Sequence, residues 1–413
     1  MSKAPLAGIT ILDLTTVIMG PFATHILADM GATVIKVEGP EGDTMRQYGP
    51  SRSEGMGGSI LQLHRNKESV VLDLKTAAAR RALQKLIAGS DAVVHNLRPG
   101  PAQRLGLDWE AVRQSNPKVV LCAARGFGAD GPYAEKAAYD DIIQAGCGLA
   151  GLYGQVHGAP RYVPTALCDK IAGQAIAYAV LAALLHKERT GEGQEVEVPM
   201  FETSVEFLMT EHLGAAAFEP PLGPYGFSRQ LSPHRKPYRT ADGWVCILPY
   251  SNRNWHDFFN LIGEPDLATD PRFSGVDARG RNVNALYSLV NLEAEKRSTE
   301  EWIRLCDSVG IACMPVIGLQ HVQDDAHVRA VGLLESSVHP TEGAYRAVRP
   351  PVRFGASPYQ LRNHAPRLGQ DSARILGRLG LSAEDLAELL PAGEQASREQ
   401  PSPNGEELKV VHS

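Results

Sequence analysis

Asp169 is the residue of this 413-residue chain whose setting most invites chemistry. It stands in YVPTALCDKIAG (162–173), ahead of QAIAYAVLAALL (174–185), which carries no charge. A carboxylate at the head of an apolar helix has two uses. It can accept backbone N–H groups as a cap, or it can attack an electrophilic carbonyl and hold a covalent intermediate. From the residue alone both readings stay open. Burial raises such a pKa and a helix N-terminus lowers it, the dipole being worth only ~0.3–1 kcal/mol at exposed sites. Lys170 follows directly and adds a nearby positive charge. Cys168 is the rival nucleophile. A reactive thiol wants a positioned His or a cationic setting. No His lies close in sequence, so Cys168 reads as packing.

The elements that must position these residues alternate in type. GITILDLT (8–15), ATVIKVEGP, SVVLDLK (69–75), DAVVHNL (91–97) and KVVLCAARGFG (118–128) read as strands. Between them FATHILADMG and TAAARRALQKLIAG read as helices, the second ending at Gly89 and the first entered after a break at Gly20-Pro21. The alternation predicts a parallel sheet with helices on both faces, a Rossmann-like α/β architecture. No G-x-G-x-x-G follows the first strand, so a dinucleotide cofactor is not indicated. A helix is expected over 174–188 and a strand in QEVEVPMFET.

Downstream, the Pro-rich stretch 216–240 reads as a linker. TADGWVCILPY (240–250) carries an Asp-Gly turn between strand-like runs, and WHDFFNLIG and VNALYSLVNLEAEK read as helices. This gives a large α/β domain begun by 1–215, a smaller α+β domain at 241–325, a return to the large domain over 326–392, and a disordered tail at 393–413.

A net charge of −6 without a basic run argues against nucleic acid as partner. The N-terminus lacks the apolar run of a signal peptide, and 174–185 is shorter than the ~20 residues that span a bilayer. No membrane partner and a cytoplasmic location are expected. Six scattered Cys contain no C-x-x-C pair. They indicate reduced thiols and no metal site.

Five ordered stretches then resemble one family. They are GITILDLTTVIMGPFATHILADMGATVIKVEGPEGD, HRNKESVVLDLK, NLRPGPAQRLGLDW, RGFGADGPYAEKAAYDDIIQAGCGLAGLYG and TGEGQEVEVPMFE. Together they look like the class III CoA-transferases, the formyl-CoA and carnitine CoA-transferase family. The likeness runs in register from about residue 6 to 250 and more loosely to about 375. It implies that Asp169 is the nucleophile, that Tyr139 and Asp140 serve the same site, and that the molecule is an interlocked homodimer with its active site between a large and a small domain. The CoA-binding positions it implies are Val17, Ile18, Leu72, Asp73, Lys75, Asn96, Leu97, Arg98, Arg104, Lys136 and Ala137. Arg104 matches the phosphate-binding Arg, and Asn96, ending an apolar strand, is placed to read an adenine or ribose edge.

The implied reaction moves CoA from one carboxylic acid to another. Its partners are an acyl-CoA and a free acid, with CoA as substrate and no permanently bound cofactor. The sequence departs from formyl-CoA transferases at Ile18, where they have Gln, at Gly39, where they have a CoA-binding Arg, and at Ala137, where they have Lys. The glycine-rich loop of the small domain is replaced by PYSNRNW (249–255), with Ser251 and Asn252 as candidate polar donors. Two alternatives remain: a 2-methylacyl-CoA racemase of the same fold, or an inactive CoA-binding protein. Racemases pair a His with the Asp. That His falls where this chain has Tyr139, a poor proton acceptor at neutral pH.

Overall fold

A computed structural model describes residues 4–390, so the tail expected at 393–413 lies outside the described residues. The described chain forms two compact units that interleave in sequence. The first holds 4–140, 166–203 and 335–390, and the second holds 141–165 and 204–334. Residues 141–165 and 204–215, which the sequence reading gave to the large domain, therefore belong to the second unit, and 326–334 do too.

The first unit opens β1 (Thr10–Leu14), α1 (Met19–Asp29), β2 (Thr33–Glu38), α2 (Gly58–Leu63), β3 (Lys67–Val71), α3 (Ala77–Ala88), β4 (Ala92–His95), α4 (Pro99–Arg104), α5 (Trp109–Ser115) and β5 (Val120–Arg125). After α6 (Asp140–Gly146) and α7 (Leu149–His157) come α8 (Leu167–Thr190), β6 (Gln194–Pro199) and α9 (Met200–His212). The six strands form one parallel sheet in the order β3-β2-β1-β4-β5-β6. That is the doubly wound order expected of a Rossmann-like sheet. The strand order reverses between β1 and β4, so their carboxyl ends open the crevice where such sheets bind ligands.

Alternation along the strands divides the sheet into two unlike faces. Leu12, Leu14, Ile35, Val37, Val70 and Leu121 enter an apolar core with α3 and with α15 (Ser372–Leu376) and α16 (Ala383–Leu389) from the end of the described chain. The other face carries Asp13, Lys36, Glu38, Lys67 and Ser69, all buried. Gly20 and Pro21 do not break the chain. They form the first turn of α1, where a missing N–H costs nothing because that group has no intrahelical partner.

α8 is longer than expected. It runs 24 residues and starts seven before the charge-free run, long and apolar enough by length and composition to cross a membrane. Its buried side chains, Ala172, Ile176 and Val180 among them, pack instead within the first unit against α1, β5 and β6.

The second unit contains a three-stranded antiparallel sheet, β7 (Tyr238–Arg239), β8 (Trp244–Leu248) and β9 (Ala312–Pro315), with α10 (Asn252–Leu261), α11 (Val276–Arg281), α12 (Val283–Ala294), α13 (Thr299–Val309) and α14 (Ala326–Ala330). Its core is aromatic, with Phe258 stacked on Trp302 at 6.1 Å. Ser251 and Asn252 have structural work here. Ser251 caps α10 in a reciprocal box with Asn254, and Asn252 accepts from Arg279. The chain returns to the first unit through the hairpin β10 (Leu334–His339) and β11 (Gly343–Val348), which the sequence reading did not separate from its Pro-rich surroundings.

Candidate active site

Asp169 is the third residue of α8, and the N-cap is Ala166, which offers no side-chain acceptor. The plain N-cap reading is thereby removed. The acceptor comes from elsewhere: Asp140 Oδ1, at the start of α6, takes the Asp169 N–H at 3.0 Å. Two carboxylates, each only 8% exposed, are thus brought to one helix end. Burial pushes the Asp169 carboxyl up to about 6, the Asp140 charge pushes the same way, and Lys170 opposes both. A carboxylate of this kind is ionised at neutral pH yet weakly solvated, which suits a nucleophile.

α8 reaches this position because it approaches α1 closely at one point. A Cβ on Gly173 would lie 2.8 Å from the Met19 carbonyl oxygen and 2.9 Å from the Phe22 ring. Gly173 is one turn beyond Asp169, so the first turn of α8 lies against the start of α1, directly after Val17 and Ile18. A second close approach brings in Tyr139 and Asp140. Gly126, just past β5, would place a Cβ 2.2 Å from that of Ala138. Tyr139 itself is 66% exposed. Cys168 is 1% exposed and belongs to the packed side of α8, as its sequence setting indicated.

The expected CoA-binding positions gather at the carboxyl ends of β1, β3, β4 and β5, all within the first unit. Arg98 donates to the Glu135 carbonyl at 2.9 Å, and the Gly100 N–H donates to the Glu135 carboxylate at 2.9 Å. This joins the loop after β4 to the segment holding Lys136 and Ala137. Arg104 closes α4 with a guanidinium nitrogen 3.4 Å from where a Cβ on Gly100 would stand. It therefore joins the Arg98–Glu135 group. The Lys136 ammonium lies 4.7 Å over the Tyr133 ring. Lys75 is exposed beside Asp73, which accepts the Lys75 N–H at 3.1 Å.

Two residues serve differently than expected. Leu72 is 1% exposed in the core beneath the sheet, and its N–H is spent on the Glu38 carbonyl at 2.8 Å. What it can offer a ligand is its carbonyl. Asn96 uses both ends of its amide on one residue, accepting from Thr16 N at 3.0 Å and donating to Thr16 O at 2.9 Å. It clamps β1 to β4 across the reversal point.

Sequence reasoning missed the buried ionic row behind these loops. Lys67 binds Asp13 at 3.0 Å, Lys36 binds Asp43 at 3.2 Å, and Arg46 grips Glu38 at 2.7 and 2.8 Å. It named Val17 but not its backbone, whose φ of +72° is left-handed at a β-branched residue. Such strain costs on the order of 1–3 kcal/mol and persists only where surrounding contacts enforce it.

The fold and this carboxylate at a helix head suit an acyl-transfer enzyme, and similarity gives the class. The model of CoA-transferase family III matches residues 6–372, and the chain belongs to that family. It is 30% identical to the succinate–glutarate CoA-transferase of Agrobacterium fabrum over 91% of this chain and 96% of that one. It is 29% identical to the formyl-CoA:oxalate CoA-transferase of Escherichia coli O157:H7, covering 94% and 98%. Among solved structures, a mutant of Rv3272 from Mycobacterium tuberculosis superposes with a TM-score of 0.81 at 29% identity, over 92% of this chain and all of that one.

The acid limb of activity follows from the site. An Asp169 acting as nucleophile would have to be ionised, and kcat/KM would then fall tenfold per pH unit below about 6. Asp140→Asn keeps an oxygen for the Asp169 N–H but removes one of the influences that raise the pKa. That limb should then move to lower pH in a rate profile; a limb left in place would show that Asp140 has no charge effect on Asp169.

Proposed function

We propose that this CoA-transferase moves CoA between an acyl-CoA and a free carboxylic acid through covalent intermediates on Asp169. The observation that carries the reading is the buried carboxylate in the first turn of α8, with its pKa near 6 and its N–H taken by Asp140. An Asp169 oxygen attacks the thioester carbonyl. The C–S bond breaks, leaving a mixed anhydride and CoA thiolate. The thiolate attacks the Asp169 γ-carbonyl and releases the donor acid, which leaves with the oxygen that made the first attack. The resulting aspartyl-CoA thioester accepts the second acid, and the same two steps in reverse yield the new acyl-CoA and free Asp169. CoA enters and leaves as substrate, so the sequence needs no resident cofactor.

Tyr139 is the proposed donor to the thioester oxygen, where charge develops in each attack. Arg98, Arg104, Lys136 and Lys75 supply positive charge for the CoA phosphates. Val17, Ile18, Asn96, Leu97 and the Leu72–Asp73 turn shape the nucleotide end. The relatives are named for succinate and glutarate or for formyl-CoA and oxalate, so the acid pair is set by pocket details. A screen of donors and acceptors by mass spectrometry, with succinyl-CoA as first donor, tests the reading. New acyl-CoA formed without net hydrolysis supports it. Hydrolysis alone, or no exchange across the panel, removes it.

The reading also takes the enzyme as a cytoplasmic homodimer. Its support within the first unit is a cavity of about 1260 Å³ lined by Phe22, Ile26, Tyr178, Leu181, Val352 and Phe354 among others, with Tyr178 65% exposed. An open apolar groove of this kind suits a partner surface. Light scattering should give twice the chain mass. A monomer that retains activity would exclude the assembly.

A further inference from the structure

The loop after β1 carries the strained residue of the described chain nearest the expected ligand crevice, and no ligand is needed to explain what holds it. Val17 donates its N–H to Asp43 Oδ1 at 3.0 Å. The same carboxylate takes Met45 N at 3.0 Å and so caps the short turn Thr44–Gln47 after β2. Its other oxygen meets Lys36 Nζ at 3.2 Å, and Lys36 also donates to the Thr15 carbonyl. Asp43's own N–H is tied to Glu38 Oε1 at 2.9 Å. Lys36 is 0% exposed and Asp43 1%. Residue 16, between the two held positions, is fixed from the β4 side by Asn96.

Three consecutive residues are therefore held by side chains, Lys36 from within β2 and Asp43 and Asn96 from the loops just past β2 and β4. A β-branched residue does not take a left-handed backbone unless such contacts impose it. Lys36 remains protonated at this depth because Asp13 and Asp43 outweigh the effect of burial.

We propose that the buried Lys36–Asp43 pair positions the 15–17 turn and thereby sets how tightly the crevice between β1 and β4 holds the nucleotide end of CoA. This rests on the reading of that crevice as the CoA site. The pair touches neither the thioester nor Asp169. Lys36 and Asp43 are positioning residues: their effect falls on substrate binding, and the covalent steps proceed unchanged once CoA is seated.

A double-mutant cycle on the full-length protein tests it, because glycine takes the left-handed backbone without constraint. Asp43→Asn keeps the shape and removes the charge. In the Val17 background it is expected to raise the Kd for CoA, measured by calorimetry, about tenfold. The KM for acyl-CoA should rise in parallel, with kcat within about threefold of the parent. In the Val17→Gly background, where the turn no longer needs enforcement, the same change should raise Kd less than twofold. Should Asp43→Asn alone not fold, Lys36→Met/Asp43→Asn removes both charges together and enters the same cycle.

An equal loss of affinity in both backgrounds would show a merely structural role and overturn the proposal, as would an unchanged Kd or a loss confined to kcat. If the parent itself fails to bind CoA, this proposal falls together with the reading of the crevice. If the parent binds and only the coupling is missing, this proposal falls alone.

Discussion

Replacing Asp169 by alanine is expected to lower kcat on the order of 10⁴-fold or more, with CoA still bound. In the proposed mechanism this removes the group that carries the covalent intermediate, a loss that other contacts to the substrate do not replace. CoA affinity should stay within about twofold, because the proposed binding groups lie on the loops after β1, β3, β4 and β5. A capping role would give a different signature: a stability loss of ~0.5–2 kcal/mol and a modest change in rate. The stability effect here has the opposite sign. A carboxyl raised from 3.8 to about 6 by burial and by Asp140 is ionised more readily in the unfolded chain. It costs stability progressively as pH rises from about 4 to 6, and the full cost, up to ~3 kcal/mol, is present at pH 7. Asp169→Asn should therefore raise the denaturation midpoint at pH 7 and leave it unchanged at pH 3. Loss of turnover together with gain of stability marks a residue retained for chemistry.

The second large effect is expected at Asp13. It is 0% exposed and faces Lys67 at 3.0 Å and Lys36 at 3.9 Å, with hydroxyls of Thr15 and Thr24 on its oxygens. Asp13→Ala leaves two ammonium groups in the sheet without their shared counter-charge, and breaking a buried pair in this way costs about 3–5 kcal/mol. Urea unfolding of the first unit should show that loss. Burial alone would raise the Asp13 pKa, but Lys36, Lys67 and the two hydroxyls hold it well below the usual carboxylate range. Its contribution is complete above about pH 4 and is lost as pH falls toward the folded value. The parent should show that acid slope and the variant should lack it. A variant as stable as the parent would mean that Lys67 or Lys36 loses its proton instead.

How much of this was legible depends on what alternation can and cannot say. The strands of the first unit and the helices between them follow from apolar runs bounded by Gly, Pro and Asp, and the parallel sheet follows from their alternation. Asp13, Lys36 and Glu38 also alternate with apolar neighbours, but that pattern is shared by strands with one wet face. Only the covering helix α1, with Pro21 and Thr24 on Lys67, and the turn after β2, with Arg46 on Glu38, make the charged face an interior ionic row. The position of Asp169 was legible, but its place within the helix was not. The charge-free run begins at 174, whereas α8 begins at Leu167 with an unremarkable Ala166 as cap. The cap that matters, Asp140, lies 29 residues away and carries no local signal. Asn96 was correctly singled out as a polar residue at a strand end, yet its partner, Thr16, is 80 residues distant. The backbone of Val17 has no sequence signature at all, since left-handed positions are ordinarily announced by Gly or Asn.

The most direct test is to look for the covalent species on Asp169. The protein is incubated with an acyl-CoA, treated with borohydride, digested, and the peptide containing 162–170 is read by tandem mass spectrometry. Reduction of an aspartyl thioester releases CoA thiol and converts the side chain to homoserine. The account predicts homoserine at 169 only when acyl-CoA is present. Acyl-CoA turnover with Asp169 unmodified, or with the label on Cys168 or any other residue, would contradict it.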